Sequence, residues 1–174
     1  MFPTRTQLIE STRYTLLVTA ALACLLTYRG SLAESFPMSG ELLNKTEQEH
    51  PGFAQERIAS WEKLISHYKN SGHQQKLHVV NRFFNKMKFV NDRDHWGKED
   101  YWATPLQMLT SNGGDCEDYS IAKYFTLRKM GIPAEHMRLT YVKAIKLKQA
   151  HMVLAYYSAP DATPLILDNL VNEI

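Results

Sequence analysis

Apolar residues return at three- and four-residue steps from Phe53 onward. Ile58, Trp61, Leu64, Ile65 and Tyr68 fall on one face, the spacing of an amphipathic helix. Asn70-Ser71-Gly72 interrupts the pattern, and a second helix follows with Leu77, Val80, Phe84 and Met87 on its stripe. Both stripes read as core surface. Residues 91–101 (NDRDHWGKEDY) are dense in charge and turn formers and read as a loop. Thr104-Pro105 has the form of an N-cap followed by proline at the first helical position, predicting a short helix to about Thr110. Asn112-Gly113-Gly114 breaks it. A further helix then starts near Cys116 and runs through Ile121, Tyr124, Phe125 and Leu127 to Met130, where Gly131 and Pro133 end it.

Beyond that point the pattern changes. Leu139 to Ile145, His151 to Tyr157 and Pro164 to Asp168 are short and rich in β-branched or aromatic residues, and predict strands. Helices first and strands afterwards favour an α+β domain over alternating βαβ units. The chain has 174 residues, 44% of them hydrophobic, enough for one domain with a real core. Twenty basic against 18 acidic residues leave a formal charge of +2. With no basic stripe, nothing points to a nucleic-acid partner.

Residues 1–33 differ from the rest. Arg5 and Arg13 precede an apolar run from Tyr14 to Tyr28, and Ser31-Leu32-Ala33 supplies small residues for cleavage. The run is short of the roughly 20 apolar residues a membrane span needs. It reads as a secretory signal peptide cut after Ala33, with an uncleaved anchor as the alternative. Residues 34–52, with Pro37, Gly40, Pro51 and Gly52, read as a linker or N-terminal arm ahead of a domain at 53–174. Loss of the signal peptide removes Cys24 and leaves Cys116 without a partner for an internal disulfide. In an oxidising compartment an unpaired thiol is a liability unless buried or used.

The setting of Cys116 favours use. Gly113 and Gly114 let the backbone turn tightly beside it. Cys116 then falls in the first turn of a helix, where free N–H groups and the dipole favour a thiolate and can hold an oxyanion. His151 begins an apolar strand, and Asp168 ends another. A histidine at a strand mouth is more often structural than catalytic, and an Asp before Asn169 also suits a turn. Together, in the order Cys, His, Asp, the three fit acyl-transfer chemistry, with Asp168 fixing the tautomer of His151. A zinc site at Cys116 and His151 lacks the further ligands zinc requires.

The stretches GGDCEDYSIAKYFTLRKMGIP, QAHMVLAYY and PLILDNL, with DYWATPLQML upstream, resemble the bacterial transglutaminase-like cysteine proteases, and among them the periplasmic adhesin-releasing enzymes. The likeness covers about Asp94 to Leu170. It implies a papain-like, transglutaminase-like α+β fold: N-terminal helices, and a nucleophile helix packed on an antiparallel sheet. It places the family's catalytic residues on Cys116, His151 and Asp168. It implies calcium dependence, with Asp115, Glu117 and Asp118 at the ligand positions. On the residues alone that last point stays open, because Asp115 and Asp118 equally suit the N-cap and third position of a helix. Carboxylates beside a thiolate disfavour it, and a divalent cation would offset them.

The resemblance further implies a periplasmic endopeptidase that cuts a large surface adhesin near its N-terminus and so releases it, regulating biofilm attachment. The implied partner is an inner-membrane cyclic di-GMP receptor that sequesters the protease through its periplasmic domain. Amine transfer or deamidation at the same triad is the alternative reaction. Trp102 and Gln107 are candidates for a second oxyanion donor. Members of the family usually run on further past the aspartate than Ile174, so a longer C-terminal stretch is expected to cover the sheet or shape the groove.

Overall fold

The computed structural model describes residues 53–174. The expected signal peptide and arm, residues 1–52, lie outside the described residues. Helix α1 (Phe53–Tyr68) buries Trp61 and lays Ile58, Leu64, Ile65 and Tyr68 against the core. Helix α2 (His73–Phe84) buries Leu77, Val80 and Phe84 completely. It stops one turn before Met87, which still packs on the core.

The charged stretch after α2 is not all loop. Asp92–Trp96 forms a five-residue helix, α3. Asn91 leads into it in extended conformation, its carbonyl accepts from the amides of Asp94 and His95, and Gly97 ends it at φ 66°. Helix α4 (Pro105–Ser111) starts as the sequence predicts. Gln107 N–H donates to the Thr104 hydroxyl at 3.2 Å, while the Gln107 side chain accepts from Thr104 N–H at 2.8 Å, a reciprocal cap.

Gly113-Gly114 does more than break that helix. It forms a two-residue strand, β2, paired in parallel with β1 (Lys88–Phe89). This anchors the turn that leads into helix α5 (Cys116–Lys129). The far end of α5 closes as predicted. Gly131 takes φ 89°, and the amides of Gly131 and Ile132 return to the carbonyls of Arg128 and Leu127, the paired bonds of a Schellman stop.

A short 3₁₀ turn (Ala134–His136) leads into β3 (Met137–Ala144), β4 (Gln149–Tyr156) and β5 (Leu165–Leu167), an antiparallel sheet in the order β3-β4-β5. Val142 stands opposite His151, and Leu154 opposite Leu167. Helix α5 packs on β4, and Trp61, Phe84, Leu109, Leu127, Ile132 and Leu154 meet in the core between them and the N-terminal helices. The expected arrangement is therefore present: helices first, then the Cys116 helix against an antiparallel sheet.

Candidate active site

Cys116 is the first residue of α5, set there by the turn at Gly113-Gly114. The glycine at 114 is sterically required: a Cβ would lie 2.5 Å from Asp118 Oδ2 and 2.7 Å from its Cβ. That close approach lets Asp118 turn back and accept the Asp115 N–H at 3.3 Å, so the acids do cap the helix.

His151 is not at the mouth of its strand but at its third residue, and it is buried. Its Nε2 meets Asp168 Oδ1 at 2.8 Å. A carboxylate only accepts, so Nε2 carries the proton and Nδ1 is the ring nitrogen left for a reactant. Asp168 follows β5 directly, and its Oδ1 also accepts the Leu170 amide at 2.9 Å. Ser120, one turn into α5, ties the two halves together: its hydroxyl lies 2.9 Å from Cys116 O and 3.1 Å from Met152 O. The backbone N–H of Met152, the neighbour of His151, favours the thiolate form of Cys116.

Cys116 and His151 line one pocket of about 360 Å³, together with Asn85, Phe89, Tyr119, Leu147, Gln149, Asn169 and others. The structure thus brings Cys116, His151 and Asp168 into one place. Trp102 and Gln107 do not line this pocket. Trp102 is half exposed, and Gln107 spends its amide on Thr104 N–H and on the Tyr101 hydroxyl, 2.6 Å away.

The thiol is not in the state that a bare helix start predicts. Burial, then a hydrogen bond from Sγ to Glu117 Oε2 at 2.9 Å, push Cys116 up to about 12, against the pull of the Met152 N–H. The charges of Glu117 and Asp115 add to the rise. Burial, with the acids beside the thiol, outweighs the helix dipole.

Those acids form two overlapping groups. Asp115, Cys116 and Glu117 make one; Asp92, Asp115 and Asp118 make the other, each with ligand atoms within 4.8 Å of one another. Asp115 and Asp118 therefore come together as the sequence suggests. Glu117 lies beside both the sulfur and Asp115, and Asp92 of α3 joins Asp115 and Asp118 from outside the motif. Asp92 was hidden because nothing distinguishes it from the other acids of NDRDHWGKED.

Asp92 Oδ2 accepts from Tyr101 N–H, and Asp118 Oδ1 accepts from Ala103 N–H at 2.6 Å. Asp92 Oδ1 and Asp115 Oδ1 are buried with no hydrogen-bond partner. Burial, reinforced by Glu117 and the neighbouring aspartates, pushes Asp115 up to about 8, and burial pushes Asp118 up to about 6. Buried carboxylate oxygens without donors, crowded so that they hold protons, are the donor set of a hard divalent cation.

The sequence pattern of the bacterial transglutaminase-like cysteine proteinases (BTLCP) matches residues 54–174. Among solved structures, calcium-bound LapG of Legionella pneumophila is 40% identical. It superposes with a TM-score of 0.67 over 77% of this chain and 74% of that one. EGTA-treated LapG of the same organism is 38% identical, with a TM-score of 0.66 over 78% of this chain and 72% of the other. Comparison with curated proteins gives no match. A family pattern that spans nearly all the described residues, on a fold shared with LapG at this level of identity, makes the chain a cysteine protease of the bacterial transglutaminase-like cysteine proteinase family.

Proposed function

We propose that the chain is a calcium-dependent periplasmic endopeptidase, with Cys116 as nucleophile, His151 as general base and acid, and Asp168 as the residue that orients it. The observation that carries this reading is that His151, bonded to Asp168 at 2.8 Å, lines the same pocket as Cys116. With Nε2 committed to Asp168, Nδ1 takes the proton from Sγ. The thiolate attacks a peptide carbonyl carbon, and the carbonyl π electrons move to oxygen, where the free N–H groups at the start of α5 stabilise the charge. As the C–N bond breaks, His151 gives its proton to the leaving amine. His151 then takes a proton from water, whose oxygen attacks the thioester, and the acid product leaves as the proton returns to sulfur.

Asp92, Asp115 and Asp118 are the proposed calcium ligands, with Glu117 at their edge. A bound calcium ion supplies positive charge that offsets the carboxylates around the thiol and fixes the turn into α5. The similar LapG of Legionella pneumophila, solved with calcium bound, supports this choice of metal.

The substrate on this reading is a large surface adhesin cut near its N-terminus, which frees it from the cell and lowers attachment. A cyclic di-GMP receptor of the inner membrane would hold the enzyme in check. The support here is the family alone. The test is cleavage of an adhesin N-terminal fragment by wild type and Cys116→Ala, in calcium and in EGTA, with a labelled amine present. Cutting by wild type in calcium only, with none by the variant, is expected. Equal cutting by both proteins refutes the nucleophile. Amine incorporation in place of hydrolysis replaces protease by transferase for this substrate.

A further inference from the structure

One residue of the pocket wall has no part in the chemistry above. Helix α2 ends at Phe84, and Asn85 follows as its C-cap, with its N–H on Asn81 O at 3.0 Å. Its side chain leaves the helix toward the segment that follows β5. There Nδ2 lies 2.9 Å from Asp168 O, 2.9 Å from Val171 O and 3.2 Å from Asn172 Oδ1. Three oxygens around one terminal atom require a nitrogen at that place, because an oxygen there would face acceptors only. The two amide hydrogens serve the two carbonyls at 2.9 Å.

Those two carbonyls stand at the ends of the turn that carries the carboxylate of the dyad. The last ladder pair of β5 is Leu167 with Leu154, and residues 168–174 lie in neither helix nor strand. Sheet pairing therefore does not set the direction of the Asp168 side chain. Inside the turn, Asp168 Oδ1 accepts from Leu170 N–H at 2.9 Å while it meets His151 Nε2 at 2.8 Å. Asn85 closes the turn from outside by joining residue 168 to residue 171. One helical turn earlier, the fully buried Asn81 donates to Val171 O at 3.1 Å and to Asn172 O at 3.3 Å. It holds the tail beyond Asp168, whereas Asn85 holds Asp168 itself. Asn85 also lines the pocket with Cys116 and His151.

We propose that Asn85 is a positioning residue of the active site: by donating to the carbonyls of Asp168 and Val171 it closes the turn after β5 and aims the Asp168 carboxylate at His151. The inference rests on the catalytic reading of His151 and Asp168. A carboxylate just past the end of a three-residue strand keeps its direction only if the backbone beneath it is fixed. Misplacement of a reacting constellation by about 1 Å can cost about 10²-fold in rate.

The test uses Asn85→Asp and Asn85→Ala in calcium. The aspartate keeps the shape and sets acceptors against the two carbonyls; the alanine only removes the donors. kcat is expected to fall about 10–100-fold in Asn85→Asp and less in Asn85→Ala, with KM within about twofold in both. The same substitutions are then made in Asp168→Asn. A positioning residue acts only through the residue it positions, so the further loss there is expected to stay within about threefold. Wild-type kcat in Asn85→Asp overturns the proposal. So does a raised KM at unchanged kcat, which makes Asn85 a substrate contact. So does the full loss repeated in Asp168→Asn, which is a general packing defect.

A second measurement needs no turnover. Ring ¹⁵N NMR of His151 in Cys116→Ala reads which nitrogen of the neutral ring carries the proton. The Nε2–H form that Asp168 selects is expected to dominate in the parent and to give way to a mixture of tautomers when Asn85→Ala is added. Asn81→Ala, which loosens the tail without touching Asp168, is expected to lower the melting temperature and to leave the tautomer in place. An unmoved tautomer in Asn85→Ala, or an equal shift in Asn81→Ala, overturns the proposal. Cleavage that survives Cys116→Ala or Asp168→Asn would instead sink the catalytic reading itself, an outcome separate from these.

Discussion

Glu117→Gln is the most direct probe of what the acids do to the nucleophile. The glutamine keeps size and hydrogen-bonding capacity and removes the charge that sits 2.9 Å from Sγ. Without a bound ion the thiol is pushed up to about 12 from an ordinary 9.0, with burial the largest cause and Glu117 next. Two unit charges about 4 Å apart cost about 4 kcal/mol at an effective dielectric of about 20. That is a ceiling, because Cys116 and Glu117 are both partly exposed and solvent screens them. Discounting by about half leaves roughly 1.5–2.5 kcal/mol, or about 1–2 pH units. Glu117 is only the second cause, so the variant thiol remains above its ordinary value.

The assay is alkylation of Cys116 by iodoacetamide in EGTA. Only thiolate reacts, so the second-order rate constant at pH 8 reports the thiolate fraction. Glu117→Gln is expected to react about 10–100-fold faster than wild type. Calcium added to wild type is expected to accelerate the reaction in the same direction, and to do less for the variant, which has less charge to offset. An increase below about threefold, or a decrease, would refute the electrostatic account of the raised thiol.

Other outcomes follow from the same geometry. Asp168→Asn is expected to lower kcat by roughly 10²–10⁴-fold, because an amide can present its N–H to Nε2 and favour the wrong tautomer; steady-state kinetics with a folded, calcium-loaded variant checks it. Asp115 and Asp118 are raised in the folded, metal-free state, to about 8 and about 6. The folded state then binds more protons than the unfolded chain between about pH 4 and pH 8, so their contribution to stability is present at low pH and is lost as pH rises through those values. In EGTA, Asp115→Asn is therefore expected to gain melting temperature relative to wild type from pH 5 to pH 8. Calcium is expected to abolish that relative gain; a difference that does not change with pH contradicts the raised values. Gly114→Ala drives a Cβ into the Asp118 carboxylate and is expected to cost about 2–3 kcal/mol by chemical denaturation, together with calcium binding measured by titration.

Local signals made much of the fold legible. Helices α1, α2 and α5 show apolar stripes or stops, and α4 shows its cap in Thr104-Pro105. The three long-range strands show in β-branched and aromatic runs, displaced by one or two residues at their ends. What stayed hidden was short or tertiary. The β1–β2 pairing involves only Lys88-Phe89 and Gly113-Gly114, too few residues to carry a period. Helix α3 is one turn long, and its charges look like loop composition. Asp92 and Asn85 have no distinguishing neighbours along the chain; each matters because folding brings it beside a segment far away in sequence.

Lys123 shows the limit most sharply. On a helical wheel a lysine between Ile121 and Leu127 reads as a solvated position, yet α5 is enclosed on this side by α2 and the sheet. Its neighbour in the same helix, Cys116, is likewise held in a state its local sequence does not suggest. Both departures have one origin. A helix start crowded with acids and a helix middle carrying a buried cation are each unfavourable alone. The acids become tolerable with a divalent ion. A chain folded without its metal is then expected to keep the His151–Asp168 side intact while the Cys116 side stays protonated. Calcium removal should accordingly suppress thiolate formation and leave the His151 ring signals in place, a separation that NMR of the Cys116→Ala protein with and without calcium can measure. Large movement of the His151 signals on calcium removal would show that the two halves of the site are not independent.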